Sequence, residues 1–139
     1  KELKAVRTAK KAVLMVAGAA AQKFMQKLEQ EQEIMMNIAD MMIELFACES
    51  TILRTQKKIN TLGEGAAIDQ INLTKVYVSD ALERINLSGK HALTAFAEGD
   101  ELRMMLMGLK RFTKLDPYNS TAGRRAIAAT LIEANGYCF

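Results

Sequence analysis

Apolar residues recur every three or four positions across residues 34–59, and this spacing constrains the fold more than any other feature. The positions that share one face of the predicted helix are Ile34, Ile38, Met41, Leu45, Cys48, Ile52, Thr55 and Ile59. The residues that widen this stripe on one side are Met35, Met42, Phe46 and Leu53. So wide an apolar stripe predicts a long helix that faces the core of a helical bundle.

The same spacing continues in four other segments of the chain. The predicted helices span about residues 1–28, 34–59, 66–98, 101–115 and 120–134. The polar residues 29–33 form either a short turn or a solvated helical link, and the sequence leaves both open. Gly63 and Gly65 suit the end of helix two. Ser88-Gly89 interrupts the pattern of helix three, where we expect a bend.

Capping residues and the scarcity of helix breakers support this assignment. Asp100 is the predicted N-cap of helix four, and Asn119 or Ser120 that of helix five. The inward positions outside helix two are Val6, Ala9, Val13, Val16, Ala20, Phe24, Ile68, Ile71, Val78, Leu82, Ile85, Ala92, Phe96, Leu102, Leu106, Leu109 and Phe112. One proline and eight glycines leave long segments uninterrupted, which favours helices over strands. We predict one all-α domain over residues 1–139, an antiparallel up-and-down helical bundle of three long and two short helices.

The charge pattern is not that of a nucleic-acid-binding protein. Nineteen basic residues oppose 16 acidic ones, for a net charge of +3, and basic residues occur in pairs that never extend to longer runs. Tryptophan is absent and aromatic residues are few, so the sequence offers neither a basic face nor a stacking platform. Solvated helix faces explain these basic pairs, and we expect no nucleic-acid partner.

The cysteines and the N-terminal segment indicate location in the cell. Cys48 and Cys138 have no metal-type spacing, and Cys48 is predicted as a buried free thiol, which is typical of a reducing cytoplasm. Lys10-Lys11 and the apolar run after it resemble a targeting signal. Ten apolar residues are too few for a bilayer, which needs about 20, and the helical stripe extends beyond them on both sides. Because the chain begins at Lys1, we expect a fragment or a processed product.

We predict no catalytic, cofactor-binding or metal-binding residue. A carboxylate di-metal site in a bundle needs two Glu-x-x-His motifs, but His91 is the single histidine and Ser88 stands three residues before it. His91 by itself is typical of a partly exposed structural residue. Gly63-Glu64-Gly65 lacks the preceding strand and third glycine of a dinucleotide fingerprint, so a helix cap and loop is the better interpretation.

Two further patterns have structural explanations. Asp40 and Glu44 lie one turn apart, as a catalytic pair would, but their spacing places them on a solvated polar face. We therefore expect Leu45→Ala to cost roughly 2–5 kcal/mol and Glu44→Ala less than about 0.5 kcal/mol. The methionine pairs at 35–36, 41–42 and 104–105 could suggest a copper site or a peptide groove, but one methionine of each should face the core. Surplus apolar surface would mark an interface.

Three stretches carry a resemblance to a known family. Residues 43–55, IELFACESTILRT, look like the second helix of the C-terminal helical domain in very-long-chain-type acyl-CoA dehydrogenases. Residues 76–86, VYVSDALERIN, are similar to its long third helix. Residues 126–139, AIAATLIEANGYCF, resemble its short final helix and apolar tail. The resemblance spans the whole chain as a pattern of helices and apolar positions, and it includes no catalytic signature.

This resemblance implies a parent enzyme that binds FAD and oxidises an acyl-CoA to the trans-2-enoyl-CoA with a glutamate base, as in fatty-acid β-oxidation. The flavin and the base belong mainly to upstream domains, so we expect this fragment to hold no cofactor and to be inactive alone. Its implied partners are the upstream catalytic domains of the same chain and a second copy in a homo-oligomer. In some members the domain is membrane-peripheral.

The rival interpretation is a free-standing helical module that binds a protein partner through its methionine-rich face. The reading frame upstream of Lys1 would separate the two, because only the first requires a dehydrogenase core there.

Overall fold

The computed structural model describes all 139 residues, and 87% of them are helical with no strand. The five α-helices are α1 (Glu2–Phe24), α2 (Gln32–Leu62), α3 (Ile68–Phe96), α4 (Gly99–Phe112) and α5 (Ser120–Ala134). Short 3₁₀ helices at Met25–Gln30 and Gly65–Ala67 connect α1 to α2 and α2 to α3. The predicted all-α bundle of three long and two short helices is therefore confirmed.

Two helix ends differ from the prediction because a residue there adopts a positive φ. α1 ends at Phe24, four residues early, because Met25 adopts a left-handed φ of 51° and the chain turns. The predicted polar link is divided between two elements: Glu29 and Gln30 end the 3₁₀ helix, and Gln32 and Glu33 begin α2. α4 begins at Gly99, whose φ of 60° suits glycine, so Asp100 is not the N-cap but lies in the first turn, where the helix dipole favours a carboxylate. Asn119 caps α5 as predicted, accepting a hydrogen bond from the Ala122 amide at 3.0 Å.

α3 lies at the centre of the bundle, since it contacts each of the other four α-helices. The buried core is built from α1, α2, α3 and α4; its residues are Ala5, Val6, Ala9, Ala12, Val13, Val16, Ala20, Ile34, Met41, Cys48, Ile52, Val78, Ala81, Leu82, Ile85, Ala92, Leu93 and Leu109. Small residues of α1 let its backbone approach its neighbours closely. α5 packs on α3 alone and buries only Gly123 and Ile127.

Gly89 has a different role from the expected bend. α3 continues as one α-helix through this residue, which is buried. A Cβ atom placed there would lie 2.8 Å from Leu109 Cδ1 and 3.1 Å from Met41 Cε. A side chain at this position would force the ends of the Leu109 and Met41 side chains to move, so glycine suits the close packing of α2 and α4 on α3.

Several side chains predicted as core are exposed. Met35, Met42, Phe46 and Leu53, expected to widen the buried stripe of α2, are exposed on its outer side. Met36 is exposed as well, so neither methionine of that pair faces the core. Ile68 is also exposed, whereas Ala67, in the 3₁₀ turn before it, is buried. Leu45 is only half-buried and packs against the edge of the core.

Candidate functional site

The strongest polar arrangement joins α2 to α3 around Glu44. The Arg84 guanidinium donates two hydrogen bonds to the carboxylate, from Nε at 2.6 Å and from Nη2 at 2.8 Å. The Tyr77 hydroxyl donates a third, at 3.0 Å. Arg84 also lies over the Tyr77 ring, 5.6 Å from its centroid. The prediction that Glu44 lies on a solvated face was wrong, because α3 brings two donors to it.

The electrostatics of this cluster follow from those contacts. The hydrogen bonds from Arg84 are the main reason that the pKa of Glu44 lies below its usual value. Burial is the first reason that the pKa of Tyr77 is raised, and its hydrogen bond to Glu44 adds to this. A permanently ionised pair suits a structural link between helices. A general base needs a pKa near the working pH, so Glu44 is poorly suited to proton transfer.

Cys48 lies one turn after Glu44 and is fully buried, as predicted. Burial first, and then the charge of Glu44, raise the pKa of the thiol to about 12. Since the thiolate is the reactive form, Cys48 is inert at neutral pH and belongs to the core.

The other residues singled out from the sequence lie apart. His91 and Asp40 are exposed, and neither side chain joins the Glu44 cluster. Gly63 ends α2 with a φ of 85° and Gly65 begins the next 3₁₀ turn, which makes this segment a cap and connection. No three histidine, cysteine, aspartate or glutamate side chains converge on a common point.

The largest cleft, of about 900 Å³, lies between α3, the end of α4 and the start of α5. Most of its lining side chains are charged or polar, and Arg124 and Asp80 form an ion pair across it. A flavin ring needs largely apolar or aromatic walls with a few placed polar groups. The lining of this cleft does not fit such a ring.

The most distinctive surface is the outer face of α2, defined here as Met35, Met42, Ile43, Phe46 and Leu53. Their exposed fractions run from 44% for Met35 to 73% for Phe46. At 1.5 Å per residue this face is about 27 Å long. Large apolar patches exposed on a protein surface typically mark a site of interaction. The sequence showed these residues but not that they point away from the core.

Comparisons with known proteins agree with this architecture. Residues 8–111 match the family described as "Acyl-CoA dehydrogenase, C-terminal domain". A probable acyl-CoA dehydrogenase of Bacillus subtilis is 40% identical over 132 residues, which cover 95% of this chain and 22% of that protein. The crystal structure of an acyl-CoA dehydrogenase from Bacillus anthracis, complexed with FAD, superposes with a TM-score of 0.96 at 41% identity. The superposition covers 99% of this chain and 24% of the Bacillus anthracis chain.

This chain thus spans less than a quarter of the length of either relative. None of its helices is both long and apolar enough to cross a membrane. The family match extends over most of the bundle, including all of α2 and α3. The chain therefore belongs to the acyl-CoA dehydrogenase C-terminal domain family.

Proposed function

We propose that residues 1–139 form one non-catalytic domain of an FAD-dependent acyl-CoA dehydrogenase of the very-long-chain type, acting in fatty-acid oxidation. Its role is to pack against the catalytic domains of the same polypeptide. The observation that carries this proposal is the exposed apolar outer face of α2. In the parent enzyme, FAD would accept the electrons removed from the acyl-CoA. This chain's own residues contribute packing surface.

The size of the outer face argues that it is covered in the working protein. Burying one large apolar side chain stabilises a protein by roughly 1.5–3 kcal/mol. Five such side chains lie exposed here on one helix. A partner that buries even part of them gains enough to dock firmly.

The length of the relatives supports the rest of the same chain as that partner. This bundle matches only 22% and 24% of the two relatives, so each carries a much larger body on the same polypeptide. A covalent link supplies an effective concentration on the order of millimolar. The rest of the same polypeptide can therefore cover the outer face of α2 through a weak interface. The same weak interface would not hold a separate second copy of this chain.

The test compares two triple variants of the full-length enzyme. Met42→Ser/Phe46→Ser/Leu53→Ser removes apolar groups from the outer face of α2. The matched control, Leu14→Ser/Met104→Ser/Met107→Ser, removes exposed apolar groups from α1 and α4. We expect the first variant to expose α2 to hydrogen exchange and to lower the melting temperature of the enzyme. The control should leave the hydrogen exchange of α2 unchanged.

The flavin content and turnover of both variants separate packing from chemistry. We expect FAD retention and the rate of acyl-CoA oxidation per bound flavin to survive in both. Equal hydrogen exchange of α2 in the isolated chain and in the full-length enzyme would contradict the packing role. A reading frame without a dehydrogenase core upstream of Lys1 would favour the free-standing module.

A further inference from the structure

One line of residues runs the length of the outer face of α2 in steps of three or four, and all of its members are exposed. This line, called the seam here, consists of Met35, Ala39, Met42, Phe46, Ser50 and Leu53. None of the six side chains is charged. Residues with this spacing form a single row along a helix, which is the geometry of a contact with a second helix.

Two small residues make holes in the seam. Ala39 lies between Met35 and Met42, and Ser50 lies between Phe46 and Leu53. A small residue among large neighbours leaves a hole that accepts a side chain from a facing helix. The two holes are 11 residues apart, which is about 16.5 Å along the axis. A facing helix places side chains on one side at this interval, since 11 residues complete about three turns. A strand covers the same distance in about five residues, so its two side chains would point to opposite sides.

The charges of α2 are segregated along the helix. Its four acidic residues all lie within residues 33–49, and its three basic residues all lie within residues 54–58. The helix dipole acts only in the first and last turns. It therefore explains Glu33, in the first turn, but not the basic group, because no basic residue lies in the last turn. The order of charges is thus information about a neighbour of α2.

An antiparallel helix complements this order of charges. Asp40 lies beside Ala39 and Arg54 beside Leu53; both charged side chains are exposed and belong to no ion pair within the bundle. Helices favour acidic residues near their start and basic residues near their end. A helix antiparallel to α2 therefore brings basic groups to Asp40 and acidic groups to Arg54. A parallel helix would bring like charges together.

We propose that one helix of the same polypeptide, outside residues 1–139, packs antiparallel to α2 along the seam. This inference rests on the proposed function and adds the kind of partner and its direction. The seam spans 18 residues from Met35 to Leu53, which is about 27 Å. The partner helix contributes roughly five turns to the contact and inserts apolar side chains at Ala39 and Ser50.

Photo-cross-linking of the full-length enzyme tests both the helix and its direction. Photo-methionine and photo-leucine replace methionine and leucine and join a neighbouring residue when illuminated, and peptide mass spectrometry identifies the joined residues. We expect Met35 and Leu53 to join one segment outside residues 1–139, at positions about 18 residues apart and in reverse order. Met104 and Leu14, exposed on α4 and α1, are internal controls and should not join that segment.

The other cross-linking results have separate meanings. Joined positions about eight residues apart would indicate a strand and overturn the helix. Joined positions in the same order as Met35 and Leu53 would overturn the antiparallel direction. In a mixture of ¹⁴N- and ¹⁵N-labelled enzyme, links between α2 helices of two copies would replace the proposed partner with a second copy. If neither residue joins anything outside residues 1–139, the packing role in the proposed function fails as well.

Filling the two holes provides a second test. In the full-length enzyme, Ala39→Leu/Ser50→Leu should speed the hydrogen exchange of α2 roughly tenfold or more, because leucine occupies the space of the partner's side chains. The matched control, Ala21→Leu/Ala128→Leu, places leucine at exposed positions of α1 and α5 and should leave that exchange within about twofold. Circular dichroism of each variant checks that it is folded. Unchanged exchange in the first variant would overturn the proposal, because nothing would then pack into the holes.

Discussion

Large apolar side chains lie on two faces of α2, yet the bundle buries only one of these faces. Met41 is fully buried between helices, whereas the next residue, Met42, is 56% exposed. Cys48 and Ile52 repeat the first environment, and Phe46 and Leu53 repeat the second. Apolar spacing therefore indicates that a helix face packs against something. It does not indicate whether the packing partner is the same domain or another part of the protein.

The largest expected effect comes from the paired methionines. Met41→Ala should lower the free energy of unfolding of this chain by roughly 2–5 kcal/mol, because it removes buried atoms and leaves a cavity beside Leu109 and Gly89. Met42→Ala is the matched control. It should change the free energy by less than about 0.5 kcal/mol, since the site is exposed and both residues favour helix. Urea unfolding followed by circular dichroism measures both. Equal losses at the two positions would show that the outer face is already packed within the bundle.

A smaller effect is expected at the polar link between α2 and α3. Glu44→Gln should lower the free energy of unfolding by about 1 kcal/mol, because it removes the negative charge to which Arg84 and Tyr77 donate hydrogen bonds. The loss is modest because the site is partly exposed. Asp40→Asn, one turn earlier on the same helix and exposed, should cost less than about 0.5 kcal/mol. Urea unfolding of the two variants at neutral pH tests this. A larger loss at Asp40 would contradict the structure.

The pH dependence of the Glu44 link has a definite sign. The folded protein holds the pKa of Glu44 below the ordinary value of 4.5, mainly through Arg84. Its contribution to stability is therefore complete above that value and is lost as the pH falls through the lower folded pKa. The difference in unfolding free energy between the unmodified chain and Glu44→Gln should shrink steadily from pH 6 to about pH 3. A difference that stays constant over this range would mean that the carboxylate is not specifically held.

Local sequence chemistry predicted the helices because each depends on residues close together in the chain. The apolar spacing located all five, and the Asn119 cap needs only the amide three residues later. Helix ends were less predictable, as at Met25, whose positive φ ends α1. No propensity of methionine indicates its left-handed φ.

Features that depend on distant residues could not be predicted. Glu44 and Arg84 are 40 residues apart, and one sequence does not show which faces of α2 and α3 meet. The cleft at the end of α4 likewise depends on how α3, α4 and α5 converge. Gly89 carried a local signal, but the sequence did not show that Leu109 and Met41 pack against it. Such contacts required the structure.

The smallest expected effect is the sharpest test of the comparison between the two faces. Phe46 is 73% exposed at the middle of the outer face of α2, so Phe46→Ser in this chain alone should change the unfolding free energy by less than about 0.5 kcal/mol. The loss of helix propensity is small, and no buried contact is removed. The same substitution in the full-length enzyme should cost more, because there the ring is proposed to be buried. Urea unfolding of the short chain and thermal unfolding of the enzyme provide the two measurements. A loss of several kcal/mol in the short chain would place Phe46 inside the bundle, and no loss in either protein would leave the outer face without a partner.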